Sequence, residues 1–134
     1  MNVTSVRSQT SIVALVLLGV GSTLQSAMVG LDVLSILFSR IELMATANDD
    51  VADLARIGGR AARDGLADCR DHASANDVIG AADCLTRAVS AHRAAKNLLL
   101  GIAALGDINV AELAQLGVNL AVSVLNDIGC DNAG

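Results

Sequence analysis

The chain has 134 residues, of which 53% are hydrophobic and 17% charged, and its formal net charge is −5. A negative chain without a basic block cannot neutralise phosphates, and one Phe with no Trp or Tyr leaves no stacking platform, so nucleic acid is excluded as a partner. The length suits one domain with a sizeable core, and we predict that residues 1–134 form a single helical domain.

The N-terminal part is the most apolar. Residues 11–31 are uncharged over a length that could span a membrane, but a span usually carries Trp or Tyr at its ends. A cleaved secretory signal would use Arg7 and the apolar run 12–20, yet the apolar pattern continues past that run into Leu24. We predict a flexible N-terminus over 1–10 and then a bundle helix, and we keep the signal as an alternative.

A polar stripe along this first helix supports the bundle. Its members follow one another at steps of three, four and seven, which places them on one narrow edge of a helix. We predict that this edge faces water. The stripe consists of Ser22, Gln25, Asp32, Ser35, Ser39 and Glu42.

Because the chain has no proline, helix ends must be found from Gly, Asn, Asp and Ser clusters. Clusters at 47–50, 70–77 and 106–109 divide the chain into four helical segments, roughly 11–46, 50–68, 76–105 and 109–129. Two pairs have capping-box spacing, Asp50 with Asp53 and Asn109 with Glu112. The sequence predicts an all-α fold, a four- to five-helix bundle.

The second and fourth segments resemble each other. Residues 50–62 (DVADLARIGGRAA) and 109–121 (NVAELAQLGVNLA) are identical at six of thirteen positions. We therefore predict two similar αα-hairpins, 11–69 and 76–130, related by internal duplication. Small residues on their inward faces predict close helix packing. They are Ala55, Gly58 and Ala62 in one hairpin, and Ala114, Gly117 and Ala121 in the other.

Three cysteines are candidates for disulfide bonds. Cys69 ends the second segment and Cys84 lies about two turns into the third, so a short connection can bring them together. A Cys69–Cys84 bond would leave Cys130 for an intermolecular bridge, and a Cys84–Cys130 bond is the rival pairing. This pattern favours a secreted, extracellular protein over a cytoplasmic one with three reduced thiols.

No pattern for catalysis, a cofactor or a metal is present. Cys69, His72, Cys84 and His92 could ligate zinc, but their spacing fits no compact motif. His92 lies on an apolar stripe, so a core histidine bonded to a neighbouring polar group is the better interpretation. The usual nucleophile, phosphate-loop and metalloprotease motifs are missing, and we predict that the chain is not an enzyme.

Charge is concentrated in the middle of the chain, where 15 of the 23 charged residues fall between Asp49 and Lys96. A mixed-sign set on the second segment predicts a solvated face, or alternatively a polar pairing surface between protomers. It consists of Arg56, Arg60, Arg63, Arg70, Asp53, Asp64, Asp68 and Asp71.

The first and last helices are apolar over more than half their circumference, which predicts self-association as a dimer or a larger assembly. An alternative is a carrier that holds a lipid or other apolar ligand between the hairpins, and a third is a small membrane-inserted protein. The residues predicted to pack the hairpins together or to line such a cavity are Leu15, Leu18, Leu98, Ile102, Leu120 and Val124.

Overall fold

A computed structural model of the chain describes the backbone of residues 3–73 and 78–129 and the side chains of residues 23–71 and 80–129. It has four helices, α1 (Val3–Met44), α2 (Asp49–Ala73), α3 (Val78–Leu105) and α4 (Ile108–Ile128), and no strand within the described residues. The all-α bundle predicted from the sequence is confirmed. Helix α1 includes residues 3–10, where neither Gly nor Pro interrupts the chain.

The helices pack as two hairpins. Helix α1 packs against α2 and α3 against α4, and α2 also contacts α3. Helices α1 and α3 meet across the middle of the bundle, whereas α2 and α4 do not pack against each other within the described residues. Helix α1 also packs against α4 and therefore lies between α2 and α4.

Each hairpin starts its second helix with the same cap. The backbone N–H of Val51 donates to Asn48 Oδ1 at 3.2 Å, and the N–H of Val110 donates to Asp107 Oδ1 at 2.9 Å. The caps expected at Asp50 and Asn109 were wrong, because both helices begin earlier and these residues lie inside the first turn. Asn48 Nδ2 also donates to the carbonyl of Leu105, which ties the two turns together at one end of the bundle.

The core has two adjoining parts. The larger surrounds the Phe38 ring, which is fully buried among Leu34, Ile41, Leu99 and Ile102. The smaller lies toward the other end of the bundle and includes Leu24, Leu31, Leu66 and the two cysteines Cys69 and Cys84. Because Phe38 is the sole aromatic residue of the chain, most of the core consists of aliphatic and alanine side chains.

Small residues allow the larger ones to fit. A Cβ atom on Gly58 would overlap the Phe38 ring, and a Cβ on Gly117 would lie 2.7 Å from Leu99 Cδ1. Gly58 and Gly117 occupy matching positions of the two similar segments, as do the capping residues. The hairpins thus make equivalent contacts at matched positions, and their origin by duplication stays a prediction.

Candidate functional site

The outer face of α1 carries a stripe of exposed apolar side chains. Val29 is 55% exposed, Val33 42%, Ile36 63% and Leu43 70%. With the exposed Arg40 they follow one another at steps of four, three, four and three residues, so they form one line along the helix. We call these five residues the α1 outer stripe. It is an apolar face whose four large side chains remain 42–70% exposed in the bundle.

The polar stripe of α1 is largely exposed, as the sequence predicts: Gln25, Asp32 and Ser39 are exposed and Glu42 is half-buried, with Ser35 as the exception. Ser35 is buried, and its hydroxyl donates to the carbonyl of Asp32 at 2.7 Å. Glu42 binds Arg56 of α2, and Asp32 borders a surface depression with Arg70 of α2. Ser22, the first member of the stripe, lies outside the described side chains.

The outward side of α2 is charged, in contrast to α1. Of the eight Arg and Asp residues that form the mixed-sign set of α2, seven have exposed side chains and Asp68 is half-buried. Arg56 bonds Asp53 at 2.8 Å and Glu42 of α1 at 3.1 Å, while Arg87 of α3 bonds Asp68 at 3.0 Å. These contacts join residues of one chain at its surface, where such pairs contribute little to stability.

The six small residues predicted to allow close helix packing are all buried. Gly58 lies against Phe38, and Gly117 against Leu99 and Leu37. The four alanines belong to the larger part of the core. They are Ala55, Ala62, Ala114 and Ala121.

The residues predicted to line a ligand cavity are distributed through the core. Ile102 is fully buried and Leu98 packs beside it, whereas Val124 lies in the smaller part of the core and Leu120 contacts both parts. Leu15 and Leu18 lie outside the described side chains. Leu120 and Val124 also line an open groove of about 320 Å³ between α1 and α4. We call it the α1–α4 groove; its α1 wall includes Val29 and Val33 of the outer stripe.

Two of the three cysteines lie together as buried free thiols on neighbouring helices. Cys69 Sγ lies 4.0 Å from the carbonyl oxygen of Cys84, and Cys84 Sγ lies 3.8 Å from that of Asp68. No disulfide joins them in the structure. Burial, and secondarily a hydrogen bond with Cys84, raises the pKa of the Cys69 thiol to about 12. Cys130 lies outside the described residues.

His92 is a core residue. Its ring is fully buried between α3 and α1, where Nε2 donates to the carbonyl oxygen of Ala27 at 2.9 Å. The ring fits because α1 has Gly30 there, on which a Cβ would lie 2.6 Å from His92 Cε1. Burial lowers the pKa of His92, and the bond to Ala27 opposes only part of this shift. The sequence interpretation of His92 as a core histidine with one polar partner is confirmed.

We expect the free energy of unfolding to fall as the pH is lowered through about 6.5, where the unfolded chain binds a proton at His92 that the folded chain does not. Above that pH both states hold the neutral ring and this loss is absent. The slope is at most about 1.4 kcal/mol per pH unit. Urea unfolding near pH 7.5 and pH 5.5 should show a larger loss for the wild type than for His92→Leu, and equal losses would contradict the assignment.

Among residues 23–71 and 80–129, no three His, Cys, Asp or Glu side chains are placed to hold a metal ion together. Within the same part of the chain, one helix, α4, is long and apolar enough to cross a membrane. One side of α4 packs in the bundle, and its other side mixes exposed polar residues such as Glu112, Gln115 and Asn119 with the exposed Leu116 and Val122.

No protein-family model, no curated protein and no solved structure matches this chain.

The α1 outer stripe was the feature that sequence analysis missed. Its alternating steps of four and three are visible in the sequence, and they are the signal that could have found it. The signal was hidden because α1 also has apolar residues on its buried side. Leu31, Leu34 and Phe38 run through the same segment, and they are fully buried.

Proposed function

We propose that the protein is a non-enzymatic interaction protein that associates with copies of itself through the apolar outer face of α1. The observation that carries the proposal is the α1 outer stripe, in which four large apolar side chains are 42–70% exposed along one line. Contiguous exposed apolar surface on a small domain marks a site of interaction, because its burial removes that surface from water.

The contrast between helices supports this choice of face. The outward side of α2 carries many charges, some already paired within the chain, so covering it would remove charged groups from water at a cost. The α1 outer stripe has one charged residue, Arg40, and little polar surface to desolvate. Its four apolar side chains are exposed and therefore accessible to a second bundle.

Self-association can be tested by placing a charge on the stripe. Ile36→Glu should lower the mass measured by light scattering after size exclusion, because the new carboxylate would have to be buried in the assembly. Ile57→Glu is the matched control, since Ile57 is 58% exposed on the charged side of α2. Circular dichroism should show unchanged helix content in both variants. A wild type that is monomeric at all concentrations, or an equal loss of mass in both variants, would refute the proposal.

A second candidate function is the carriage of a small apolar ligand, and the α1–α4 groove favours it. The groove has the volume of a small-molecule site, and its walls include Val29, Val33, Leu120 and Val124. A carrier would remain a monomer and would retain a bound small molecule in native mass spectrometry. An assembly protein would instead show empty dimers or larger species. A membrane-inserted protein, the third candidate, would need detergent to stay in solution.

A further inference from the structure

We propose that the α1 outer stripe binds the same stripe of a second copy in antiparallel orientation, with the two-fold axis passing close to Ile36. This inference rests on the proposed self-association and adds the orientation and register of the two helices. It follows from the spacing of the apolar residues and from the charges within and beside the stripe.

The spacing fits a helical partner. Positions 29, 33, 36, 40 and 43 repeat with the mean period of 3.5 residues that keeps a seam facing another helix. The stripe is about 21 Å long, from the rise of 1.5 Å per residue in an α-helix. Such a narrow line matches the seam of one helix better than the broad face of a sheet.

Arg40 decides between the two possible orientations. In a parallel pair each residue lies opposite its own copy, so the two Arg40 side chains would meet within the seam and repel each other. In an antiparallel pair centred on Ile36, Arg40 lies opposite Asp32 of the other copy, because the two residues are each four positions from Ile36. Because the dimer is two-fold symmetric, it would contain two such Arg40–Asp32 contacts.

The two charged side chains are available for this contact. Asp32 and Arg40 are both exposed, and neither takes part in an ion pair within the described side chains. The same register places Val29 of each copy opposite Leu43 of the other, Ile36 opposite Ile36, and Val33 opposite Ser39 beside the stripe. The apolar residues at the ends and centre of the stripe are thereby covered together with its one positive charge.

Charge reversal tests the register. Arg40→Glu and Asp32→Arg should each weaken self-association about tenfold or more, because each places like charges opposite one another twice. A one-to-one mixture of the two variants should restore association as a heterodimer, since both contacts then join opposite charges. The wild type could associate, and Ile36→Glu could dissociate it, while a mixture of the two charge variants fails to restore association. That outcome would overturn the register alone. A wild type that never associates would overturn the proposed function as well.

Cross-linking tests the orientation independently, with single cysteines introduced into a Cys130→Ser background in which Cys69 and Cys84 remain buried. With oxidised glutathione, Ile36→Cys should form a covalent dimer. Val29→Cys alone should not, but a mixture of Val29→Cys and Leu43→Cys should. Efficient cross-linking of Val29→Cys to itself would show a parallel pair and would overturn the inference.

Discussion

Phe38→Ala is expected to lower the free energy of unfolding by about 3–5 kcal/mol, the range found for deletion of a large buried aromatic side chain. Phe38 is fully buried in the larger part of the core and is the largest side chain there. Its removal leaves a cavity that Leu34 and Leu99, already packed in place, cannot fill. Urea unfolding followed by circular dichroism gives the value, measured at low protein concentration so that association does not contribute.

The control for this substitution is Ile57→Ala, at a site that is 58% exposed. We expect it to change the free energy of unfolding by no more than about 0.5 kcal/mol. If Phe38→Ala cost as little as Ile57→Ala, the packing of the core around the aromatic ring would be wrong.

Gly58→Ala tests the same contact in the opposite way, by adding a methyl group beside the Phe38 ring instead of removing the ring. Alanine is the better helix former by about 1 kcal/mol, but on Gly58 its methyl group would overlap the Phe38 ring. We expect the overpacking to exceed that gain, so that Gly58→Ala is destabilising by about 1–2 kcal/mol overall. Gly101→Ala is the matched control, because a Cβ there meets only Leu54 Cδ1, at 3.9 Å. It should be stabilising, and two variants with the same sign would contradict this account of Gly58.

Oxidation of Cys69 and Cys84 to a disulfide is expected to raise the free energy of unfolding by about 3 kcal/mol, as for a closed loop of about 15 residues. The two residues are 15 positions apart, and their helices already hold them side by side, so the bond restricts the unfolded chain more than the folded one. Protein refolded with oxidised glutathione should be more stable to urea than the same protein with reductant. A Cys130→Ser background prevents intermolecular bridges.

In the folded protein, we expect the Cys69–Cys84 disulfide to form slowly. A pKa of about 12 leaves very little Cys69 thiolate at neutral pH, and thiol–disulfide exchange requires the thiolate. We therefore expect the bond to form readily during refolding but slowly after folding is complete. Cys84→Ala is the control, because it should show no effect of oxidant on stability. Oxidised wild type no more stable than this variant would show that the pair does not form a stabilising bond.

Much of the fold could be predicted from the sequence. The break at 106–109 was correctly placed because Gly106 and Asp107 are strong helix-ending and helix-starting residues, and Asp107 is indeed the cap of α4. The predicted end of α2 lay too early. The sequence placed it near residue 68, but the helix continues to Ala73, since Arg70 and Asp71 are tolerated within an exposed helical turn.

The candidate site could not be predicted to the same extent, because periodicity does not decide which side of an apolar helix faces inward. In α1, both Leu34 and Ile36 belong to a regular apolar pattern, but one is fully buried and the other is 63% exposed. The polar side of the helix was placed in water because polar groups prefer it. That polar edge is largely exposed in the structure, and the apolar line that includes Ile36 is exposed as well.

Sedimentation equilibrium of the wild type in buffer without detergent, over a wide range of protein concentration, tests the central claim most directly. If the exposed line on α1 is covered by another copy, the mass should rise with concentration from 13.6 kDa toward at least twice that value. A ligand-free species that keeps the mass of one chain at every concentration would contradict the claim.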